Sequence, residues 1–185
     1  EDLQPCHIYA GSTTAQIGVN RRIPQNGTVE FGPNPEGFYP ERTPVLMVSL
    51  VNDEKDVVLV NHGCHPTGLG AANVLFADYP IYIREFLKKQ PDIAEVMFLQ
   101  GAAGDVKEAN LNARDVRFTQ KPEEVAQNGK VLADHVISVV EDSLQKVSGT
   151  FTAGIEAAHI PYQDVDVMEE IAQVRETGNS PSLQT

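Results

Sequence analysis

Two mostly apolar runs, the first rich in β-branched residues, with a helical segment between them constrain the fold of this chain more than any other feature. The first run covers residues 56–60 and the second covers residues 94–99. Between them, residues 77–89 place apolar side chains at three- and four-residue spacing, which predicts an amphipathic helix. A strand, helix, strand unit lays its two strands parallel in one sheet. We therefore expect both strands to end at the same edge of a sheet.

The remaining pattern fills in the fold class. It predicts a hairpin with a polar turn, a loop rich in glycine and proline, two further helices and one further strand. The hairpin covers 44–61, the loop 20–44, the two helices 122–147 and 167–175, and the strand 150–161. The first of these helices allows a break at Gly129. We therefore expect an α/β fold with a mixed, largely parallel central sheet flanked by helices.

Composition excludes some functions. The chain has 185 residues, 41% of them hydrophobic, which suits one domain with a core, and its apolar runs are too interrupted to predict a transmembrane segment. The net charge of −12, without a basic cluster, argues against a nucleic-acid partner. The two cysteines, Cys6 and Cys64, leave a single pairing open and do not describe a disulfide-built scaffold.

The two ends of the sequence indicate that the chain is a fragment of a longer protein. It begins at Glu1 without a methionine and stops in the polar run 177–185. We therefore expect residues 1–185 to form a single domain that is a fragment of a larger protein. The missing flanking parts of that protein are then its first partners.

Two imidazoles and a thiol follow the first apolar run, in Asn61-His62-Gly63-Cys64-His65-Pro66. The carboxyl end of a strand in an α/β sheet is a common ligand site. His65 is a candidate metal ligand because imidazole binds zinc well, and the alternative is a core histidine bonded to the backbone. His62 has the same two interpretations. Cys64 is typical of a buried small side chain, since a reactive thiolate needs electropositive surroundings.

The second apolar run ends in another turn of small residues, Gln100-Gly101-Ala102-Ala103-Gly104-Asp105. The glycines allow backbone N–H groups to approach a ligand, so Gly101 and Gly104 are candidates for holding an oxyanion. Asp105 is a candidate site residue or a turn aspartate, and Asp78 is a candidate site residue or the cap of the predicted helix. Lys107 is a candidate site residue or a solvated, ion-paired charge.

Four segments, taken in order, resemble the amino-terminal catalytic domain of the neutral/alkaline, non-lysosomal ceramidase family. The resemblance covers roughly residues 15–160, and its members are zinc-dependent amidases that split the N-acyl bond of ceramide. It implies a zinc cofactor, an amide or lipid-like substrate, and a secreted or periplasmic location. The segments are Asn20-Arg21-Arg22, residues 61–67, Phe76-Ala77-Asp78-Tyr79-Pro80 and residues 98–106.

The resemblance implies roles for individual residues. His65 becomes a zinc ligand, and Asp78 and Asp105 would help to organise the site. Our candidate catalytic residues are Asp105 and Lys107. Ceramidases carry a serine at the position of Lys107, so this chain departs from the family there. The family's other zinc ligands would lie before Glu1 and after Thr185. The remaining candidates, which would orient the ligands or the substrate, are His62, Asp78, Gly101 and Gly104.

These observations lead to one hypothesis and two alternatives. The hypothesis is a ceramidase-like, zinc-dependent hydrolase domain that cleaves an N-acyl (amide) bond. The first alternative is a structural or binding domain of the same fold that has lost its metal and nucleophile, which Lys107 favours. The second alternative is a hydrolase with Cys64 as its nucleophile, which thiol alkylation would distinguish.

Overall fold

The computed structural model describes residues 4–51, 55–70, 72–112, 114–150, 152–159 and 167–177. These residues form two sheets and three helices. The strands are β1 (Cys6–Thr14), β2 (Gly18–Gln25), β3 (Thr28–Asn34), β4 (Arg42–Leu50), β5 (Asp56–His62), β6 (Ile93–Gln100), β7 (Val106–Asn110), β8 (Arg117–Phe118) and β9 (Gln145–Val147). The helices are α1 (Tyr79–Leu87), α2 (Pro122–Asp142) and α3 (Val167–Thr177).

The first sheet has the strand order β6-β5-β4-β1-β9. Strands β5 and β6 run parallel, joined through α1, as the strand, helix, strand pattern predicts. The β4–β5 pair is antiparallel and confirms the predicted hairpin. The β1–β4 and β1–β9 pairs are antiparallel as well. Strand β6 lies at one end of this sheet, and its pairing with β5 is the single parallel strand pair of the described sheets.

The second sheet has the strand order β3-β2-β7-β8, and all its pairs are antiparallel. Strands β2 and β3 form a hairpin that turns at Asn26-Gly27, where both residues have positive φ angles of 50° and 81°. Positive φ at both central residues matches the right-handed twist of the two strands, and Asn-Gly is the dipeptide best suited to it. The predicted loop over 20–44 is therefore wrong, because much of it is this hairpin.

The expected largely parallel sheet flanked by helices is also wrong. The described strands pair mainly antiparallel, in two sheets, with few helices. Parallel pairing needs a long crossover, and the chain supplies a helical crossover only between β5 and β6. Short turns join β2 to β3 and β4 to β5, and they force the two strands of each pair to run in opposite directions.

The helices follow the sequence pattern more closely. Helix α1 begins after Asp78 and has a proline in its first turn, as its sequence predicts. Helix α2 runs without a break through Gly129, where α1 and α2 touch: a Cβ at Gly129 would lie 2.5 Å from the Cβ of Tyr82. Helix α3 confirms the last predicted helix. The predicted strand over 150–161 is wrong for residues 152–159, which lack regular structure, and residues 151, 160 and 161 lie outside the described part.

The core lies where α1 and α2 pack together and against the first sheet. Its members are apolar side chains on the inner faces of these elements, and each stabilises the fold by about 1.5–3 kcal/mol on burial. Central members are Val45, Val58, Val60, Ile83, Leu87, Leu132 and Val136. In the described residues, no helix has the length and apolar character needed to cross a membrane.

Candidate active site at the ends of β5 and β6

The carboxyl ends of β5 and β6 meet, as the sequence predicts, and bring the two small-residue turns together. His62 is the register partner of Gln100, and the Gly101 N–H donates to the His62 carbonyl oxygen at 2.9 Å. A Cβ at Gly101 would lie 3.0 Å from that carbonyl group, so glycine allows this close approach. The Gly101 amide is therefore used in the sheet rather than turned toward a ligand.

His62 is completely buried and both its ring nitrogens are hydrogen-bonded to hydroxyl groups. The Tyr39 hydroxyl lies 2.9 Å from Nε2, and the Thr43 hydroxyl lies 2.8 Å from Nδ1. Because Tyr39 accepts the Ile17 N–H and Thr43 donates to the Glu41 carbonyl, we assign the proton to Nδ1. Burial lowers the pKa of His62 to about 4, so the ring is neutral at physiological pH. Its two nitrogens are occupied by protein groups.

The turn that follows His62 is held by side chains from α1 and β6. The Tyr79 hydroxyl donates to the Cys64 carbonyl at 2.6 Å, and the Gln100 amide donates to the same oxygen at 3.2 Å. The Cys64 thiol is fully buried, and burial raises its pKa, which keeps it protonated. Cys64 and the exposed Cys6 are both free. These contacts fix the backbone that presents His65.

His65 has a buried Nδ1 with no hydrogen-bond partner among the described residues. A buried nitrogen without a partner is costly, and a bound ion would satisfy it. The backbone of His65 forms a parallel bridge with Lys107, which ties the β5 turn to β7. In the described part of the chain, no group of three His, Cys, Asp or Glu side chains is placed to share an ion. His65 therefore fits zinc as one ligand, and a catalytic zinc site normally needs three.

Lys107 is buried rather than solvated, with 7% of its surface exposed. Its ammonium group donates to the carbonyl oxygen of Thr67 and, at 2.9 Å, to the Thr67 hydroxyl. Burial lowers the pKa of Lys107, while the negative charge of Asp78 acts in the opposite direction. A positive charge thus lies beside the bridge to His65.

Asp78 and Glu108 form a pair of buried carboxyl groups next to Lys107. Asp78 caps α1 by accepting the Tyr79 N–H at 3.0 Å, and it accepts the Gly68 N–H at 2.8 Å. Glu108 is completely buried and accepts from Asn128 at 3.2 Å through Oε1, while Oε2 has no hydrogen-bond partner among the described residues. The pKa of Glu108 is raised to about 10, mainly by burial and in addition by the neighbouring Asp78 carboxylate. Glu108 is therefore protonated at neutral pH.

Asp105 faces away from this cluster. It is exposed and lies 3.4 Å from the Arg22 guanidinium group. The neighbouring Arg21 donates to the Gly104 carbonyl at 2.8 and 3.1 Å, and its N–H donates to the Asp105 carbonyl at 2.7 Å. The two arginines of β2 therefore hold the turn that contains Gly104 and Asp105.

The structure brings His65, Lys107 and Asp78 into one region, and places His62 and Gly101 in the sheet beneath it. It does not place Asp105 with them. Sequence reasoning missed Glu108, because a glutamate in a polar run gives no signal of burial. It also missed Tyr39 and Thr43, the partners of His62, which lie in or next to the proline-rich segment, far from the apolar runs.

Comparison with known proteins supports a class of fold and no closer relationship. No family model matches the chain, and no curated protein matches it in sequence. The fold is ceramidase-like. Among solved structures it is similar to the neutral ceramidase from Pseudomonas aeruginosa, with a TM-score of 0.61 and 17% identity over 80% of this chain and 24% of that one. It is similar to a ceramidase complexed with C2 at a TM-score of 0.60 and 15% identity, with the same coverage.

The chain spans about a quarter of the length of these two ceramidases, 24% in each case. At such low identity the likeness establishes the fold alone.

Proposed function

We propose that this chain is part of a ceramidase-like, zinc-dependent hydrolase that cleaves an N-acyl bond, with ceramide or a related lipid as substrate. Its single-domain extent over 1–185 and its origin in a larger, secreted or periplasmic protein belong to the same proposal. The observation that carries it is the buried, unpartnered Nδ1 of His65, at a strand end within a ceramidase-like fold. The position of this nitrogen agrees with the role that sequence resemblance gives to His65.

The residues of this chain would supply a zinc ligand and a fixed positive charge, and would hold the backbone of the two turns in place. His65 would contribute one zinc ligand, and zinc, when bound, polarises a scissile carbonyl group. Lys107 is tied to Thr67 and buried, so it would act as a fixed positive charge that stabilises negative charge developing on the carbonyl oxygen. Asp78 would hold the 65–70 turn in place through the Gly68 N–H. Arg21 would do the same for the turn at Gly104.

One observation favours a domain that binds without catalysis. Lys107 occupies the position that the family gives to serine, and its ammonium group is held by Thr67 rather than directed to an open site. The described residues also assemble fewer donors than a catalytic zinc ion needs. Under this alternative, Lys107 is a structural cation that balances Asp78.

Zinc content is the measurement that tests the proposal. The full-length natural protein would be stripped with a chelator, reloaded with zinc, dialysed and analysed for metal, alongside its His65→Ala and His135→Ala variants. His135 is the matched control, because it is an exposed histidine on α2. Zinc near one per chain that is lost in His65→Ala and kept in His135→Ala supports the hydrolase.

Hydrolysis of an N-acyl amide by the loaded protein, absent in His65→Ala, would extend that support to the reaction. A full-length protein that holds no zinc, or that holds it equally well without His65, contradicts the proposal. Zinc binding without turnover of any N-acyl substrate would favour the binding domain.

A further inference from the structure

The loop between the candidate site and α1 carries an exposed apolar tip, formed by Val74 and Leu75. The Val74 residue is 61% exposed and Leu75 is completely exposed, at 107%. Single apolar residues on a surface are common and need no explanation. Two adjacent ones that project from a loop form an apolar patch, and such patches mark surfaces that contact a partner or a membrane.

The residues on either side of the tip hold it in this position. The Val74 N–H donates to the Ala72 carbonyl oxygen at 2.9 Å, which closes a tight turn just before the tip. The Phe76 ring lies 6.1 Å from the Tyr82 ring of α1, measured between centroids, and packs against the core. Because Phe76 turns inward, the loop is anchored immediately after the tip and the two apolar side chains before it point outward.

The tip lies in a stretch of chain without ionisable side chains. From Pro66 to Ala77 the sequence contains no aspartate, glutamate, lysine, arginine or histidine, whereas 22% of the whole chain is charged. Charged side chains oppose transfer into a lipid phase, because they lose their hydration there. No side-chain charge of this stretch therefore opposes contact with an apolar phase.

The tip borders the candidate site. Gly68, at the start of the same loop, donates its N–H to Asp78 at 2.8 Å, and after the tip the chain returns to Asp78, which caps α1. Leu99, 45% exposed near the end of β6, lies at the same edge of the first sheet. Exposed apolar side chains are thus placed next to the region around His65.

We propose that Val74 and Leu75 dock this protein onto a zwitterionic lipid surface. The tip enters the boundary between head groups and acyl chains, where apolar side chains of peripheral proteins are stabilised. The net charge of −12 repels an anionic surface, so the occupant is a lipid surface without net charge. Two apolar side chains support weak, reversible docking rather than stable anchoring.

Docking at this tip brings lipid molecules to the edge of the sheet where His65 lies. An N-acyl lipid in such a surface is then presented to the candidate site, and this use of the tip rests on the proposed function. The docking itself needs neither zinc nor turnover. Loss of vesicle binding and loss of hydrolysis are therefore separate results.

Flotation with phosphatidylcholine vesicles measures the docking, with the full-length natural protein and increasing lipid concentrations. We expect saturable binding to these vesicles, with the same affinity after treatment with a chelator. At low salt, vesicles in which about half of the lipid is phosphatidylglycerol should bind roughly threefold more weakly, and salt should reduce this difference.

Variants of exposed residues locate the contact. Val74→Ser combined with Leu75→Ser should weaken binding to phosphatidylcholine by about tenfold, because both apolar side chains are lost from the lipid phase. Leu75→Phe should bind at least as tightly as the unmodified protein. Ile155→Ser is the matched control, because Ile155 is equally exposed, at 105%, and lies outside this loop.

Four results would each overturn the proposal. They are absence of binding to phosphatidylcholine, tighter binding to the phosphatidylglycerol vesicles, unchanged binding in the double serine variant, and an equal loss of binding in Ile155→Ser. Vesicle binding that depends on Leu75 in a protein without hydrolytic activity would support the docking and count against the proposed function.

Discussion

Replacing Glu108 with glutamine should change how the stability of the protein depends on pH. Glu108 is buried against Asp78, and its pKa is raised to about 10 in the folded state, against about 4.5 for an ordinary glutamate. Below pH 4.5 the Glu108 carboxyl group is protonated in both the folded and the unfolded state, so the stability that this group contributes is fully present. Between these two pKa values only the folded state holds it, so the free energy of unfolding falls as pH rises.

The size of the effect follows from that single proton. A difference of one bound proton changes the free energy of unfolding by about 1.4 kcal/mol per pH unit. Glutamine has the shape of a protonated glutamate and does not titrate. From pH 6.5 to pH 8.0, the Glu108→Gln variant should therefore gain about 2 kcal/mol in stability relative to the unmodified protein.

Urea unfolding followed by far-ultraviolet circular dichroism measures this, because the chain has no tryptophan to report by fluorescence. The two proteins would be compared at pH 6.5, 7.25 and 8.0, so that groups titrating in both proteins cancel. Glu123→Gln makes the same chemical change at an exposed position on α2 and should show no such trend. A stability difference between Glu108→Gln and the unmodified protein that stays constant with pH would mean that Glu108 is ionised in the folded state, which would refute the reasoning.

Two other predictions concern packing and the buried histidine. Gly129→Ala should lower the free energy of unfolding by about 1–3 kcal/mol, because the added methyl group is crowded against Tyr82. This loss outweighs the preference of helices for alanine over glycine, which is about 1 kcal/mol. A higher unfolding midpoint in the variant would contradict the close contact between α1 and α2. Tyr39→Phe should lower the free energy of unfolding by about 1–3 kcal/mol, because it leaves a nitrogen of His62 unpaired. Tyr9→Phe is the control, with little expected change, because the Tyr9 side chain forms no hydrogen bond with the described residues. An NMR titration of the His62 ring should have its midpoint near pH 4, and a midpoint above 6 would show that the ring is open to solvent.

Helices and turns were predictable where neighbouring residues in the sequence specify them. The periodicity of residues 77–89 gave α1, and Asp78 is its cap as the sequence suggests. The polar turn between two apolar runs gave the β4–β5 hairpin, and the strand, helix, strand order gave the parallel β5–β6 pair. The Asn26-Gly27 pair is typical of a hairpin turn, but the density of glycine and proline around it led to the prediction of a loop over 20–44 instead of the β2–β3 hairpin.

The candidate site was predictable only in part, because burial is a property of the assembled molecule. Sequence placed His65, Asp78 and Lys107 at strand or helix ends, and the fold brings them into one region. Nothing in the sequence separates the buried Glu108 from the exposed Asp105, three residues earlier. Their difference arises because β7 lies against β2 and under the 65–70 turn, which encloses Glu108, whereas Asp105 precedes the strand and lies beside Arg22.

The sequence by itself determined part of the short-range order of this protein: the helices α1, α2 and α3, the β4–β5 hairpin, and the strand, helix, strand unit from β5 to β6. Those choices depend on residues a few positions apart. Only the tertiary structure decided the pairing direction of the strands, the hydroxyl partners of His62, the burial of Lys107 and the protonated state of Glu108. Each of these depends on groups brought together from distant parts of the chain, where exclusion of water sets the energy of every charge and hydrogen bond.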